Sequence, residues 1–392
     1  MNRYATFTLI ITILACMGCR PKKEEQVVVK DTTTFHFDWK AQAGVMMQRM
    51  NLEPGEKVLI VATPGRFDSL ITILKENIKR KGQYLGIISV DSAQWPASWQ
   101  TDFTAGVEKM DVASMTAHFK DVDLGIMMPG PSVTDKSYRA MQQVLQSGKG
   151  RTIHFHWSGA YTMEGALMSE SREIDRYYQD ALLLTDYRKL SALQQMFEAA
   201  SRKGVIHVTT PLGTDLTFSI GDRPVTKQDG DASRARTEYA VNLIDREIEL
   251  PSGAIRVAPI EESVEGIIVF PDGVWKGKTV TGLVMTLHAG KVTDLLATTG
   301  LDAVKAELDA AGAAAYSFRE FALGFNPLLA IPEGKPWIPY YGYGAGVVRL
   351  SLGDNTELGG KVKGDYVRWN FFTDATVQAG GVTMVKDGKM LQ

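Results

Sequence analysis

The sequence has very little cysteine. Its only two cysteines, Cys16 and Cys19, both lie within the first 19 of 392 residues. The rest of the chain therefore has no disulfide framework and no thiolate metal site. Its stability must come from a buried core, and a body of about 360 residues is long enough for two domains.

A strong charge of either sign is also lacking. The chain has 43 Lys and Arg against 45 Asp and Glu, a net charge of -2, and no basic block. Proteins that bind nucleic acid concentrate Lys and Arg against the phosphates. We therefore expect no nucleic acid among the partners.

Familiar catalytic motifs are missing as well. The sequence contains no HExxH, no GxSxG and no GxxxxGK[ST]. Each of these motifs places a metal ligand, a nucleophile or a phosphate-binding loop in a known structural context. No function can therefore be assigned from the common short motifs.

One apolar run stands out, and it lies at the N-terminus. Residues 1–19 have a cation at Arg3, apolar residues from 4 to 15, and small residues before each cysteine. This order is typical of a bacterial lipoprotein signal, and the run is too short for a spanning helix. We expect lipidation at Cys19 or Cys16. An ordinary secretory signal with incidental cysteines is the alternative.

The segment after the signal, residues 20–36, is rich in charged and hydroxyl side chains. Such a composition cannot bury itself and predicts a flexible linker. The protein is therefore expected to be exported and lipid-anchored to the bacterial cell envelope, on its periplasmic or surface face. The lipid bilayer is then a partner through the acylated cysteine.

Residues 37–203 alternate between short apolar runs and amphipathic helical stretches. The runs predict strands buried on both faces, and the pattern ends in a helical stretch over about 170–203. Strands that alternate with helices in this way favour a parallel sheet, and so an α/β N-terminal domain. The four runs are 57–63, 84–91, 122–130 and 151–157.

Residues 204–392 have a different pattern, with many short strands separated by turn residues. A clear helix interrupts them at 301–312. We predict a β-rich α+β C-terminal domain with a mostly antiparallel sheet.

Five segments of this second half follow one another in an order that resembles a known family. They are TPLGTDLTFSIGDRP (210–224), ELPSGAIRVAPIEESVEGIIVF (249–270), REFALGFNP (319–327), GAGVVRLSLGDN (344–355) and YVRWNFF (366–372). Together they resemble the aminopeptidase T family of metallo-aminopeptidases. The resemblance implies an α/β domain before a β-rich domain, a pair of divalent metals, and a homodimer.

The resemblance also implies where metal ligands should stand, and this chain departs from most of those positions. One glutamate is retained as Glu320. Where another glutamate is expected, the chain offers only Gly253 and Ala254, and Arg349 replaces a histidine. The His-x-Asp motif is replaced by Arg368 and Asn370, with a tryptophan between them.

The substituted residues are poor metal ligands. Arginine stays protonated and offers no lone pair, and asparagine is a weak neutral ligand. Without metals nothing lowers the pKa of an attacking water. We therefore expect no cofactor and a non-catalytic homologue that binds peptides or a partner protein.

Two roles stay open for the candidate pocket at these positions, formed by Glu320, Arg349, Arg368 and Asn370. The arginines can form a buried ion network with Glu320, which is the favoured interpretation. They can instead leave a positively charged pocket that holds a peptide carboxylate bidentately.

The main alternative is an active aminopeptidase that binds two divalent metals through relocated ligands. His154 and His156 lie on one face of a predicted strand, and Glu261, Glu262 and Glu265 cluster at a strand end. Core histidines and solvated loop carboxylates explain the same residues without a metal. A third hypothesis is a scaffold protein that uses the fold only as a body.

The segment 336–346, PWIPYYGYGAG, is rich in aromatic residues and glycine. Its rings and hydroxyls can line a peptide groove. A packed loop at a domain or dimer boundary would have the same composition.

Overall fold

The structure is a computed structural model that describes residues 35–391. The predicted signal, both cysteines and most of the predicted linker lie outside the described residues. Within the described part of the chain, no helix is both long and apolar enough to cross a membrane. From Phe37 onward the chain forms one compact unit, and a domain boundary near residue 204 stays a prediction.

A parallel sheet flanked by helices forms the first layer, with elements numbered in chain order. Its strands are β1 (Lys57–Ala62), β2 (Gln83–Ser89), β3 (Leu124–Met127), β4 (Arg151–Phe155) and, from later in the chain, β8 (Glu247–Leu250). All pairs are parallel, in the order β2-β1-β3-β4-β8.

The first half of the chain has six helices. They are α1 (Trp39–Met50), α2 (Asp68–Lys81), α3 (Val112–Phe119), α4 (Lys136–Gln146), α5 (Arg172–Leu184) and α6 (Tyr187–Ser201). Of these, α6 packs against the core of the antiparallel sheets and the other five accompany the parallel sheet. Helices lie against both faces of the sheet, because alternate residues of β1 join two different apolar clusters. The continuous apolar runs are explained by this double burial. The predicted α/β architecture is confirmed.

One strand of the parallel sheet comes from the second half of the sequence. Glu247–Leu250 pairs with β4, His154 lying opposite Glu249 and Phe155 opposite Leu250. The sequence pattern assigns this segment to the β-rich half, because four residues of mixed polarity carry no local sign of a parallel partner.

Two antiparallel sheets form the β-rich part. One contains β14-β13-β10-β6-β5-β18-β19-β20 and the other β17-β16-β15-β9-β7. Their bounds are β5 (Ile206–Thr209), β6 (Asp215–Phe218), β7 (Thr226–Lys227), β9 (Ala254–Val257), β10 (Glu265–Val269), β13 (Val284–His288), β14 (Lys291–Leu296), β15 (Phe318–Gly324), β16 (Val348–Gly353), β17 (Val367–Phe372), β18 (Thr376–Ala379), β19 (Val382–Lys386) and β20 (Lys389–Met390). The hairpin β11 (Gly273–Trp275) and β12 (Lys278–Val280), and the helices α7 (Arg234–Thr237) and α8 (Leu301–Ala311), complete this part.

The two antiparallel sheets share one apolar core. In the five-stranded sheet, every second residue enters that core, for example Phe321, Leu323 and Leu350. Because side chains alternate along a strand, the residues between them point to the other face. That other face is polar, and it holds Glu320 and Arg349.

Candidate functional site

Glu320 lies at the centre of the polar face of the five-stranded sheet and is fully buried. Its Oε1 accepts a hydrogen bond from Arg349 Nε at 3.1 Å. Its Oε2 accepts from Nε and Nη2 of Arg256 at 3.1 and 2.9 Å. The two arginines lie on the strands that flank β15, so both carboxylate oxygens of Glu320 are engaged.

A β-bulge adds a third arginine to the group. The pairing of β15 with β16 shifts between Phe318 and Glu320, so Arg319 is an extra residue in the strand. Its Nε lies 3.8 Å from Glu320 Oε2, and its Nη2 donates to Glu357. Arg256 also donates to Glu357, at 2.9 Å. We call Arg256, Arg319, Arg349, Glu320 and Glu357 the arginine cluster.

Burial and neighbouring charge act in opposite directions on the pKa values of Glu320 and Arg256. Burial alone would raise the pKa of Glu320, but the guanidinium groups of Arg256, Arg349 and Arg319 hold that pKa far below its usual range. Burial alone would lower the pKa of Arg256, and the Glu320 and Glu357 carboxylates outweigh it and raise that pKa. Three cations against two anions leave the cluster with one excess positive charge.

Several buried donors of this region have no hydrogen-bond partner among residues 35–391. They are Nε and Nη1 of Arg319, Nη2 of Arg349 and Nε1 of Trp369. Nη2 of Arg349 is 2.9 Å from Glu320 Oε1, but without the angle of a hydrogen bond. The Arg349 guanidinium stacks 4.4 Å above the Trp369 ring. Unsatisfied buried donors cost about 1–3 kcal/mol each, so a hydrogen-bond acceptor, from water or from a ligand, would stabilise these groups.

Of these three arginines, the sequence motifs predicted only Arg349. Arg256 stands between Ile255 and Val257, which enter the core, and an isolated charge in such a strand is the sign that could have found it. Arg319 carries no comparable sign, because the bulge that directs it to Glu320 depends on the pairing with β16.

Arg368 and Asn370 do not join the arginine cluster, and the prediction of one pocket for all four residues is wrong in this respect. Asn370 lies opposite Leu350, a core residue, whereas Trp369 lies opposite Ser351 on the polar face. Arg368 and Asn370 therefore point to the opposite face from Glu320.

Arg368 has its own partners on that opposite face. Its Nη1 donates to Glu307 at 2.8 Å, its Nη2 donates to the carbonyl oxygen of Val274 at 2.9 Å, and its guanidinium lies 3.4 Å above the Trp275 ring. Its Nε donates to Asn370 at 3.2 Å. These contacts make Arg368 a bridge between β17, the β11–β12 hairpin and α8.

Gly253 and Ala254 serve the packing of the backbone. The Gly253 carbonyl accepts from Phe325, and a Cβ at Gly253 would lie 2.7 Å from both Asn326 and the carbonyl of Tyr343. Ala254 begins β9 and is buried. Neither position offers a side chain that binds a ligand.

A second polar group lies beside the pair of parallel strands β4 and β8. His154 Nε2 is 3.3 Å from a carboxylate oxygen of Glu247, and the Tyr138 hydroxyl is 3.5 Å from His154 Nδ1. Burial alone would lower the pKa of His154, but the Glu247 carboxylate outweighs it and raises that pKa. The pKa of His156 falls to about 4, through burial and then through the charge of His154.

The glutamates proposed for a relocated metal site have other partners. Glu261 pairs with Arg223, Glu265 lies 3.0 Å from His288, and Glu262 is largely exposed. No group of three or more His, Cys, Asp or Glu side chains converges as a metal site in the part of the chain that is described. The structure does not bring these glutamates together with the two histidines.

The aromatic segment 336–346 is a packed loop that connects the two polar groups. Tyr340 is buried and donates to the Leu250 carbonyl at 2.9 Å. Half-buried Tyr341 lies with its ring 5.8 Å from His156 and 5.5 Å from Trp369. Its carbonyl accepts from Arg349 at 3.1 Å.

The sequence matches the family model described as thermophilic metalloprotease (M29) over residues 186–329. Over this segment, which is less than half of the chain, the sequence is similar to the M29 peptidase family. The matched residues include Glu320 and Arg256 of the arginine cluster. No curated protein matches the sequence significantly.

Solved structures extend the likeness in fold to most of the chain. AmpT from Thermus thermophilus matches with a TM-score of 0.57 and 14% identity, covering 90% of this chain and 99% of its own. A 2,5-dihydroxypyridine dioxygenase from Pseudomonas putida KT2440 matches with a TM-score of 0.59 and 15% identity, covering 90% and 96%. These likenesses establish the fold. Since one of these structures is a dioxygenase, the fold alone does not decide the reaction.

Proposed function

We propose that this protein is a non-catalytic M29 family member that binds a carboxylate-bearing ligand, most simply a peptide, at the arginine cluster. One observation carries the proposal. Both oxygens of buried Glu320 are engaged by arginines, while buried N–H groups of Arg319 and Arg349 make ion pairs with Glu320 at most and have no hydrogen-bond partner among the described residues. The donors in excess favour an anion and disfavour a cation.

The residues present do not fit the pair of divalent metals that the family resemblance implies. A divalent cation 4 Å from one guanidinium is repelled by about 8 kcal/mol at an effective dielectric constant near 20. The carboxylate that would attract it is already paired with Arg256 and Arg349. Arginine supplies no lone pair in return.

A carboxylate suits the same residues. A planar guanidinium can present two parallel N–H donors to a carboxylate, and charge-assisted bonds of this kind are roughly twice as strong as neutral ones. Arg349 is held in place by Glu320, by the Tyr341 carbonyl and by stacking on Trp369. Half-buried Tyr341 and Trp369 offer aromatic surface beside it for a peptide side chain.

The proposed location is the bacterial cell envelope, with a lipid on Cys19 or Cys16. The order of a cation, an apolar run, small residues and cysteine in residues 1–19 supports it. Mass spectrometry of the membrane-derived protein, with C16A and C19A variants, would identify the acylated cysteine. Recovery of unmodified protein from the soluble fraction would contradict the anchor.

The function is tested by three assays on the purified protein. The protein is incubated with zinc, cobalt or manganese, desalted and analysed for metal, and its release of amino acids from short peptides is measured with and without chelator. Calorimetry with trialanine then measures binding in the wild type, in Arg349→Met and in Arg368→Met. The second variant is a matched control, because Arg368 lies on the opposite face of the sheet.

We expect no retained metal, no hydrolysis, and binding that Arg349→Met weakens and Arg368→Met leaves unchanged. Retained metal with chelator-sensitive hydrolysis would contradict the proposal and restore the active aminopeptidase. Equal binding by both variants would place the ligand elsewhere.

A further inference from the structure

A large apolar cavity lies apart from the arginine cluster. Its volume is about 760 Å³, within the range of about 300–1,000 Å³ that is typical of ligand pockets. Its walls come from the link between α5 and α6, the loop after β15, the segment before β16 and the β19–β20 hairpin. Glu320 is not among the described residues that line it, and neither is any arginine. Its ligand is therefore independent of the proposed function.

The side chains of the walls are mostly apolar. Leu190 and Phe325 belong to the core of the antiparallel sheets, and half-buried Leu193 and Leu328 add to the same apolar lining. Leu184, also in the lining, is 66% exposed. A concave apolar surface of this size that stays in contact with water is typical of a binding site for an apolar group.

Hydrogen bonds within the protein hold the walls in place. Buried Asn326 donates through Nδ2 to Thr185 Oγ1 at 2.8 Å, and its Oδ1 accepts from the backbone N–H of Leu328 at 2.9 Å. At the β19–β20 hairpin, the backbone N–H of Gly388 donates to the Ala375 carbonyl at 2.9 Å. A ligand would therefore enter a preformed site, and the cost of ordering the walls would be low.

The volume of the cavity fits one hydrocarbon chain. A methylene group takes up roughly the space of a water molecule in the liquid, about 30 Å³. One chain of about 16–18 carbons then needs roughly 500 Å³, and two such chains need roughly 1,000 Å³. At about 760 Å³, the cavity accepts a single chain and is too small for the two chains of a phospholipid.

The charged side chains of the lining favour an anionic end on that chain. Lys189 and Lys389 are exposed, and neither ammonium group has an ion pair or a hydrogen bond with the described residues. The two aspartates of the lining have local partners. Asp186 Oδ1 accepts from the backbone N–H of Lys189 at 3.0 Å, and Asp387 accepts from the Thr376 hydroxyl at 3.4 Å. The lysines are therefore the charges that remain available to a ligand.

We propose that this cavity binds a long-chain fatty acid. The hydrocarbon chain lies against the apolar walls, and the carboxylate stays on the solvent side, where Lys189 and Lys389 supply positive charge. The site differs in place and in ligand class from the arginine cluster, so a peptide that binds there leaves this cavity open.

The test is calorimetry of the purified protein with octanoic, decanoic and dodecanoic acid, and with dodecanamide as the neutral match. Each methylene that enters an apolar site should tighten binding about 4-fold. Dodecanamide should bind roughly 2- to 5-fold more weakly than dodecanoic acid, because ion pairs of exposed lysines are weak. This series uses the wild type, so its result does not depend on the folding of a variant.

Two pairs of variants assign the site. Leu193→Gln places an amide in the apolar wall and should weaken dodecanoic acid roughly 10-fold, whereas Leu212→Gln, at an exposed leucine outside the lining, should not. Lys389→Met should weaken the acid by roughly 2- to 5-fold and leave the amide unchanged. Lys386→Met, in the same hairpin but outside the lining, should change neither.

Several outcomes would overturn the proposal. They are an affinity that does not rise with chain length, an amide that binds as tightly as the acid, and equal binding by Leu193→Gln and Leu212→Gln. Sedimentation velocity tests a second copy of the chain as the occupant. A dimer that Leu193→Gln dissociates, in a protein that binds none of the acids, would assign the cavity to that copy and overturn the fatty-acid site.

Discussion

The substitution Glu320→Gln removes the charge that three buried guanidinium groups share. Glu320 is 0% exposed, and Arg319 and Arg349 are 2% exposed. Removing one partner of a buried ion pair typically costs 3–5 kcal/mol, because the remaining charge is left uncompensated. Arg256 and Arg319 would keep Glu357, whereas Arg349 would keep only a backbone carbonyl and the Trp369 ring.

In this variant Glu357 would compensate the charges of Arg256 and Arg319 only in part, because its side chain is 39% exposed and solvent screens its charge. The amide of glutamine still accepts one hydrogen bond, which offsets part of the loss. We therefore expect Glu320→Gln to lower the free energy of unfolding by about 3 kcal/mol, the lower end of the range for buried pairs.

Urea unfolding followed by far-UV circular dichroism measures this difference. Glu262→Gln is the control, because its carboxylate pairs with Lys361 at 3.5 Å on the surface and should contribute less than about 0.5 kcal/mol. A loss below about 1 kcal/mol for Glu320→Gln would mean that the arginines do not depend on Glu320, and the account of a coupled buried network would be refuted.

Three further predictions concern packing, pH and the opposite face of the sheet. Gly324→Ala should lower the free energy of unfolding by roughly 1–3 kcal/mol in urea melts, since the new Cβ would lie 2.0 Å from a carbonyl oxygen. Gly44→Ala, exposed in α1 with nothing within 4 Å of the Cβ, should raise it by up to about 1 kcal/mol. The pKa of Glu320 is lowered from 4.5, so its stabilisation is present above that pH and is lost as the pH falls. The melting temperature of the wild type should therefore fall more steeply, as the pH is lowered below that value, than the melting temperature of Glu320→Gln. Glu307→Ala should lower the free energy of unfolding by about 1 kcal/mol, because its ion pair with Arg368 is partly exposed. The same variant should leave peptide binding unchanged. Weaker peptide binding would mean that the two faces of the sheet are coupled.

The arginine cluster places positive charge where the family resemblance puts metal ions, but with different chemistry. Guanidinium groups attract and orient anions, and they do not activate water. Two solved structures that share this fold are each 15% or less identical to this chain, and one of them is a dioxygenase. The same fold can therefore carry different functional sites. The residues at the site therefore have to decide the function.

The local pattern of the sequence determined much of the architecture. Apolar runs such as 57–63 and the helices between them indicated a parallel sheet, because strands buried on both faces need continuous apolar residues. The short strands after residue 204 indicated antiparallel sheets. Glu320 and Arg349 were identified as one site from motif positions, and they do lie on paired strands.

Only the tertiary structure decided which side chains face one another. Strand residues alternate between faces, so a shift of one position exchanges the faces, and the register depends on a partner strand far away in the chain. For this reason the motif positions predict Arg368 beside Glu320, whereas in the structure it lies on the opposite face of the sheet. The bulge that adds Arg319, and the parallel pairing that places Glu249 opposite His154, depend on the same long-range contacts, which no local pattern records.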